Sequence, residues 1–332
     1  MGMNPYLSLK MKTILKIIHK TWRPVLTLLA FYPLARIIYT DWDEIRTVLS
    51  NIQWNLFLLS LFLLFLILPL MASISWVSLR FLDIDLPSKK VFSIYFISQL
   101  AKYLPGGIWA FPGRMLAYQA VGVEQSRSIA SVFREVSALV LSSIAVSLLV
   151  VFQNIPISSQ WQWALLIGGV ASILAILITQ TPWFWHLLKK LNIRKITSLP
   201  LSTDGNGNQQ TSLKWLPAAV FAGIVFWLAM GIPFQQLGRA VSQESYTLTW
   251  TETAAIFSLA WTVGFVVFFA PAGLGVRETV LSVLLSTFLP VSQAVSIALL
   301  SRIGWIVVEA IWILISIWIS RDRKTIIPAT PT

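Results

Sequence analysis

At 332 residues, with 56% hydrophobic and only 11% charged side chains and a mean hydropathy of +0.75, the chain cannot cover a water-facing surface with polar groups. It reads as an all-α integral membrane protein, and no polar block is long enough for a soluble catalytic domain. The formal charge of +12 does not point to nucleic acid, because the cations lie in connections between apolar runs rather than on a basic arm or face.

In chain order, residues 1–53 hold a basic segment and a first span, 22–39. The stretch "SLKMKTILKIIHKTW" alternates lysine with apolar residues at near-helical spacing, as in a helix lying on anionic lipid. The first span reads as a signal anchor: its apolar run is too long for a cleaved signal, contains Arg36, and is followed by no A-x-A-like site. A first half, 54–180, follows with spans at 54–79, 129–152 and 161–178 and a broken hairpin at 91–121. A linker at 181–214 contains the flexible run "STDGNGNQQTS". The second half, 215–320, has spans at 215–232 and 291–319 and a second broken hairpin at 251–289, and 321–332 is a tail. A spanning helix needs about 20 apolar residues, which gives about six full spans in one transmembrane domain. Trp22, Trp54, Trp161, Trp163 and Trp215 mark span ends, where amphipathic rings prefer to sit.

The hairpins are broken at "AKYLPGGIWAFPGR", 101–114, and "APAGLGVRE", 270–278. Backbone interruptions at membrane depth are tolerated only where protein buries them. Each hairpin is either re-entrant or two thin spans; in both cases the chain returns to the side it left. Lys10, Lys12, Lys16, Lys20 and Arg23 precede the first span, and Asp41, Asp43 and Glu44 follow it, which sets the N-terminus in the cytoplasm. Arg80, Lys89 and Lys90, then Lys189, Lys190, Arg194 and Lys195, and finally Arg321, Arg323 and Lys324 fall on the same side, so the C-terminus is cytoplasmic too.

The halves resemble each other. "VEQSRSIASVFR", 123–134, and "VSQAVSIALLSR", 291–302, share VxQxxSIAxxxR at a spacing of 168 residues, and each follows a Pro-x-Gly break and an arginine. The first hairpin enters from the cytoplasm and the second from outside, so the repeat is inverted. Such repeats with discontinuous helices are an architecture of transporters that alternate access around a buried substrate. Pro105, Gly106, Gly107, Pro271, Gly273 and Gly275 are the predicted tips, where helix N-termini favour an anion and glycine lets a head group approach the backbone.

Ionisable side chains within apolar segments are candidate functional groups. Arg277, Arg302, Arg134 and Arg114 are candidates to hold a phosphate, with Lys102 as a point charge near the first tip. Arg134 and Arg277 also stand at helix ends, where snorkelling to head groups is the alternative. Glu135, Glu278 and Glu309 either balance those arginines or carry protons for coupling. His19 and His186 are the sole histidines and there is no cysteine, so neither a metal site nor a catalytic triad is expected, and no cofactor.

"SQLAKYLPGGIW…GR", "FREVSALV" and above all "APAGLGVRETVL" resemble the transmembrane region of the lysylphosphatidylglycerol synthase family, over roughly residues 54–319. The resemblance implies a flippase-like membrane domain that handles phospholipids or polyprenyl-linked lipids. The family's soluble aminoacyl-transferase domain is not in this sequence, so lysyl transfer is not expected. The leading expectation is a non-enzymatic transporter in a bacterial cytoplasmic membrane, moving an anionic lipid between leaflets by alternating access. The rival is a membrane-embedded enzyme or an accessory subunit of a lipid- or glycan-modifying system. Membrane lipids are the expected partners; a separate transferase and self-association are compatible with either reading.

Overall fold

The computed structural model describes residues 36, 38–103, 109–149, 167–171, 174, 215–267 and 273–321. Among these there is no strand. Ten α-helices carry the architecture: α1 (Trp42–Ser50), α2 (Trp54–Ile67), α3 (Leu70–Arg80), α4 (Ser88–Gln99), α5 (Ala110–Ala120), α6 (Gln125–Ser147), α7 (Trp215–Ser242), α8 (Trp250–Val266), α9 (Val276–Leu285) and α10 (Val291–Arg321). Among the described residues, four stretches are long and apolar enough to cross a membrane: Trp54–Arg80, Gln125–Ser147, Trp215–Ser242 and Val291–Ser320. The chain is thus a multi-pass helical membrane protein. The predicted spans at 22–39 and 161–178 lie mostly outside the described residues, as do the linker at 181–214, nearly all of the tail at 321–332, and the tip residues Pro105, Gly106, Gly107 and Pro271.

Each hairpin region has at least one helical arm too short to cross the bilayer as a single helix. With 12 residues, α4 is about 18 Å long against a hydrocarbon core of about 30 Å, and with 10 residues α9 is about 15 Å. Between the arms, residues 104–108 and 268–272 lie outside the described ones, while Pro112 and Gly113, expected to be part of the first break, are inside α5. The order short arm, short arm, long helix occurs twice, as α4–α5–α6 and α8–α9–α10. Each first arm also packs across the divide, α4 on α10 and α8 on α6.

The boundary between α2 and α3 has a specific cause. Pro69 has no N–H to donate to the carbonyl four residues back, that of Phe65. Trp312 Nε1 of α10 supplies the missing bond at 2.9 Å, and its ring stacks on Phe65 at 4.8 Å. The bend thereby becomes a joint between α2 and α10.

The helix α7 runs through the middle of the bundle, against α2, α3, α6, α8 and α10. Phe226, Trp227 and Met230 are wholly buried, and Trp227 Nε1 donates to the Leu139 carbonyl at 3.2 Å. Apolar side chains left exposed, such as Leu58, Phe62, Phe221, Leu314 and Trp318, suit a lipid-facing rim. The contact between α7 and α8 depends on Gly231, where a β-carbon would stand 2.0 Å from the Trp250 carbonyl oxygen. Because that neighbour is backbone, Gly231→Ala is expected to destabilise the fold by roughly 1–3 kcal/mol, the range for overpacking. A thermal melt in detergent checks this, against Gly168→Ala, whose β-carbon meets nothing within 4 Å.

Candidate functional site

Five of the predicted charged residues come together in the interior: Lys102, Arg277, Glu278, Arg302 and Glu309. Lys102 lies on the 3₁₀ turn Leu100–Tyr103, where α4 tightens ahead of Leu104-Pro105-Gly106-Gly107, a sequence that disfavours further helix. Arg277 and Glu278 occupy the first turn of α9. Arg302 and Glu309 are two turns apart on α10, so they share a face. Glu309 is about 18 Å along the helix from Arg321, well inside the spanning stretch.

The geometry is tight at one carboxylate. Lys102 Nζ donates to Glu309 Oε1 at 2.5 Å, and Tyr103 Oη donates to Glu309 Oε2 at 2.7 Å. An ion pair therefore ties the first hairpin to the long helix of the second half. Glu278 turns the other way: its Oε2 accepts from the Gly275 N–H at 2.7 Å, and its Oε1 is 3.5 Å from Arg302 Nε. Sequence reasoning reserved the start of this helix for a lipid anion, but the Glu278 carboxylate already takes up the N–H and meets the positive end of the dipole.

Arg277 is the group left over. It is 5% exposed, its guanidinium lies 4.3 Å from the Phe257 ring and 4.8 Å from that of Trp305, and its Nη2 is buried with no hydrogen-bond partner. The cluster sets three cations against two carboxylates. Taking a charge out of water costs several kcal/mol unless it is paired, so an additional anion in this place is electrostatically favoured. Anion capture is what the arrangement can do chemically.

The remaining candidates stand in other contacts. Arg114 of α5 pairs with Glu135 of α6, donates from Nε to Ser98 Oγ at 3.0 Å, and covers the Tyr95 ring at 4.0 Å. Both partners of this pair are 1% exposed, so it is a closed crosslink within the first half. Arg134 donates from Nη1 to the carbonyl of Phe81, the residue that ends α3, at 3.2 Å, and its guanidinium is 5.4 Å from the Trp215 ring. A cation at a helix C-terminus satisfies orphan carbonyls and complements the dipole.

Of the tips, Gly273 and Gly275 have φ of +68° and +83°. A β-carbon on Gly273 would also meet the Gly264 carbonyl oxygen at 2.9 Å, and one on Gly264 would meet the Arg277 β-carbon at 3.1 Å. Gly264, Tyr103, Phe257 and Trp305 are site residues that sequence reasoning did not single out. Tyr103 had a signal, adjacency to Lys102. The two aromatic rings had none in a chain with 13% aromatic residues.

A comparison with curated proteins finds no match. The family model for the lysylphosphatidylglycerol synthase TM region matches residues 22–308, which include all of the buried charges described above except Glu309. The chain therefore belongs to the lysylphosphatidylglycerol synthase TM region family.

Proposed function

We propose that this protein moves an anionic lipid, a phospholipid or a polyprenyl-linked phosphate, between leaflets, with the head-group phosphate held by Arg277, Arg302 and Lys102. The family ties the chain to membrane lipids, and its transmembrane region is the non-catalytic part. The observation that carries the reading is Arg277: a buried guanidinium with an unused donor beside an excess of positive charge, at the start of a short helix packed on the spanning stretch that holds Arg302 and Glu309. The sequence contains no GxxxxGK[ST] run, so the lipid gradient, an ion gradient or a partner supplies the energy.

In this reading the two halves are an inverted repeat that rocks about the cluster. Support comes from the repeated short–short–long order, the reciprocal packing of each first arm on the opposite long helix, and the shared VxQxxSIAxxxR at the start of α6 and α10. The Lys102–Glu309 pair is the joint. An incoming phosphate offers Lys102 a second acceptor, so the lysine exchanges Glu309 for the lipid and the halves loosen. A ligand shifts such an equilibrium only by binding one state better than the other, and this exchange supplies the difference.

Reconstitution into liposomes with fluorescent head-group lipids, read by dithionite quenching of the outer leaflet, tests the reading. Wild type is expected to equilibrate the leaflets, and Arg277→Ala and Arg302→Ala to slow transfer about tenfold or more, the worth of one charge-assisted hydrogen bond. Wild-type protein inert toward both phospholipid and polyprenyl-phosphate probes, or variants as fast as wild type, overturns it.

A further inference from the structure

A second place in the molecule combines an apolar groove with unpaired cations. A cavity of about 750 Å³ lies between the arms of the first hairpin and the end of α10, which contributes Ile319 and Ser320. This is within the roughly 300–1,000 Å³ range of small-ligand sites. Its walls are apolar: Ile94 and Ile97 of α4, Leu100 after it, and Gly113, Ala117 and Ala120 of α5. The last three recur at helical spacing, so their small side chains keep one face of α5 open. Leu100 and Ala120 are exposed, so the groove opens outward between the arms.

Its polar groups sit at one end and along the floor. Lys89 and Lys90 line it from the first turn of α4. That turn has no acidic residue and no side-chain cap, so two cations are stacked on the positive end of a helix dipole. Neither lysine pairs with a carboxylate among the described residues. Deeper, buried Ser98 lines the groove and accepts from Arg114 Nε. A ligand that matches these features has an anionic head at one end and an aliphatic chain behind it.

We infer that this groove binds an anionic glycerophospholipid, with one acyl chain between α4 and α5 and the phosphate at Lys89, Lys90 and the start of α4. The site opens on the face where α10 ends, and its inner end at Leu100 and Ala101 adjoins the 3₁₀ turn that carries Lys102. Calling the bound lipid cargo awaiting transfer rests on the proposed function; its binding does not.

Native mass spectrometry of protein released from nanodiscs holding equal amounts of phosphatidylglycerol and phosphatidylcholine tests this. Wild type is expected to retain phosphatidylglycerol over phosphatidylcholine by about tenfold or more, since each lysine near an anionic lipid surface is worth a severalfold gain. The double variant Lys89→Gln/Lys90→Gln changes charge without touching packing and is expected to lower that preference severalfold, leaving the share held at the Arg277 cluster. Ala117→Trp, which fills the groove, is expected to remove the lipid held there, of either kind, and so to lower the number of lipids retained per protein while the thermal transition stays in place. Equal retention of the two lipids by wild type, or undiminished preference in the double lysine variant, overturns the inference whatever the tryptophan variant does. Preferential retention without leaflet transfer would leave this site standing and remove the transport reading. Transfer with no retention at the groove does the reverse.

Discussion

Arg114→Ala is expected to destabilise the protein by roughly 3–5 kcal/mol, the largest stability effect of any single charge removal here. Its partner Glu135 is 1% exposed and already has one oxygen without a hydrogen bond, so the variant leaves a bare carboxylate in the interior. It also removes the donor to Ser98 and the cation over Tyr95. The double variant Arg114→Met/Glu135→Leu removes both charges and keeps the volume, and it is expected to recover most of the loss. Thermal unfolding in detergent measures both. A single variant that melts with wild type would show that the pair is not the crosslink its burial implies.

Glu309 and Lys102 give the largest expected effects on lipid handling, with opposite signs. Glu309→Gln removes the negative charge that competes with a lipid phosphate for Lys102 and leaves three cations facing Glu278 alone. Retention of anionic lipid at the cluster is expected to tighten by tenfold or more, about the worth of one hydrogen bond to a charged group. Transfer is expected to slow, because nothing then returns Lys102 to its resting partner. Lys102→Met leaves Arg277 and Arg302 against two carboxylates and is expected to weaken retention by a similar factor. Lipid retention and dithionite-read transfer, measured on both variants, separate this from simple damage, which would lower both quantities in both proteins.

The sequence carried much of this because membrane burial is a severe constraint. The apolar runs at 54–79, 215–232 and 291–319 leave no option but helix, and they appear as α2 with α3, α7 and α10. The interruptions were legible at "LPGG" and "APAGLG", where Pro and Gly cluster and the described helices stop before and resume after, whereas Pro112 with Gly113 stays inside α5 and Pro233 inside α7. The charged candidates were legible as ionisable residues in such runs, and five of them do converge. Their pairing was not legible. Spacing suggested treating Arg134 and Arg302 as equivalent ligands, yet Arg302 faces Glu278 whereas Arg134 ends α3 at Phe81. Helical periodicity specifies which face a residue occupies on its own helix, and nothing about which neighbour that face meets. The joint between Trp312 and Phe65, and the glycine contact that seats Arg277 against α8, are long-range packing facts of that kind.

Relative motion of the two halves is the central claim, and a reversible lock tests it most directly. Ser143 Oγ of α6 and Thr262 Oγ1 of α8 are 2.8 Å apart across the divide, and the chain has no cysteine of its own. A disulfide between cysteines at these positions needs β-carbons about 3.5–4.5 Å apart, so its formation on oxidation is scored by mass before transfer is read. The double variant Ser143→Cys/Thr262→Cys, reconstituted in liposomes, is expected to transfer lipid when reduced, to stop when oxidised, and to resume on adding reductant. Undiminished transfer by fully cross-linked protein would contradict the account, since the halves would then not need to move past each other along this contact.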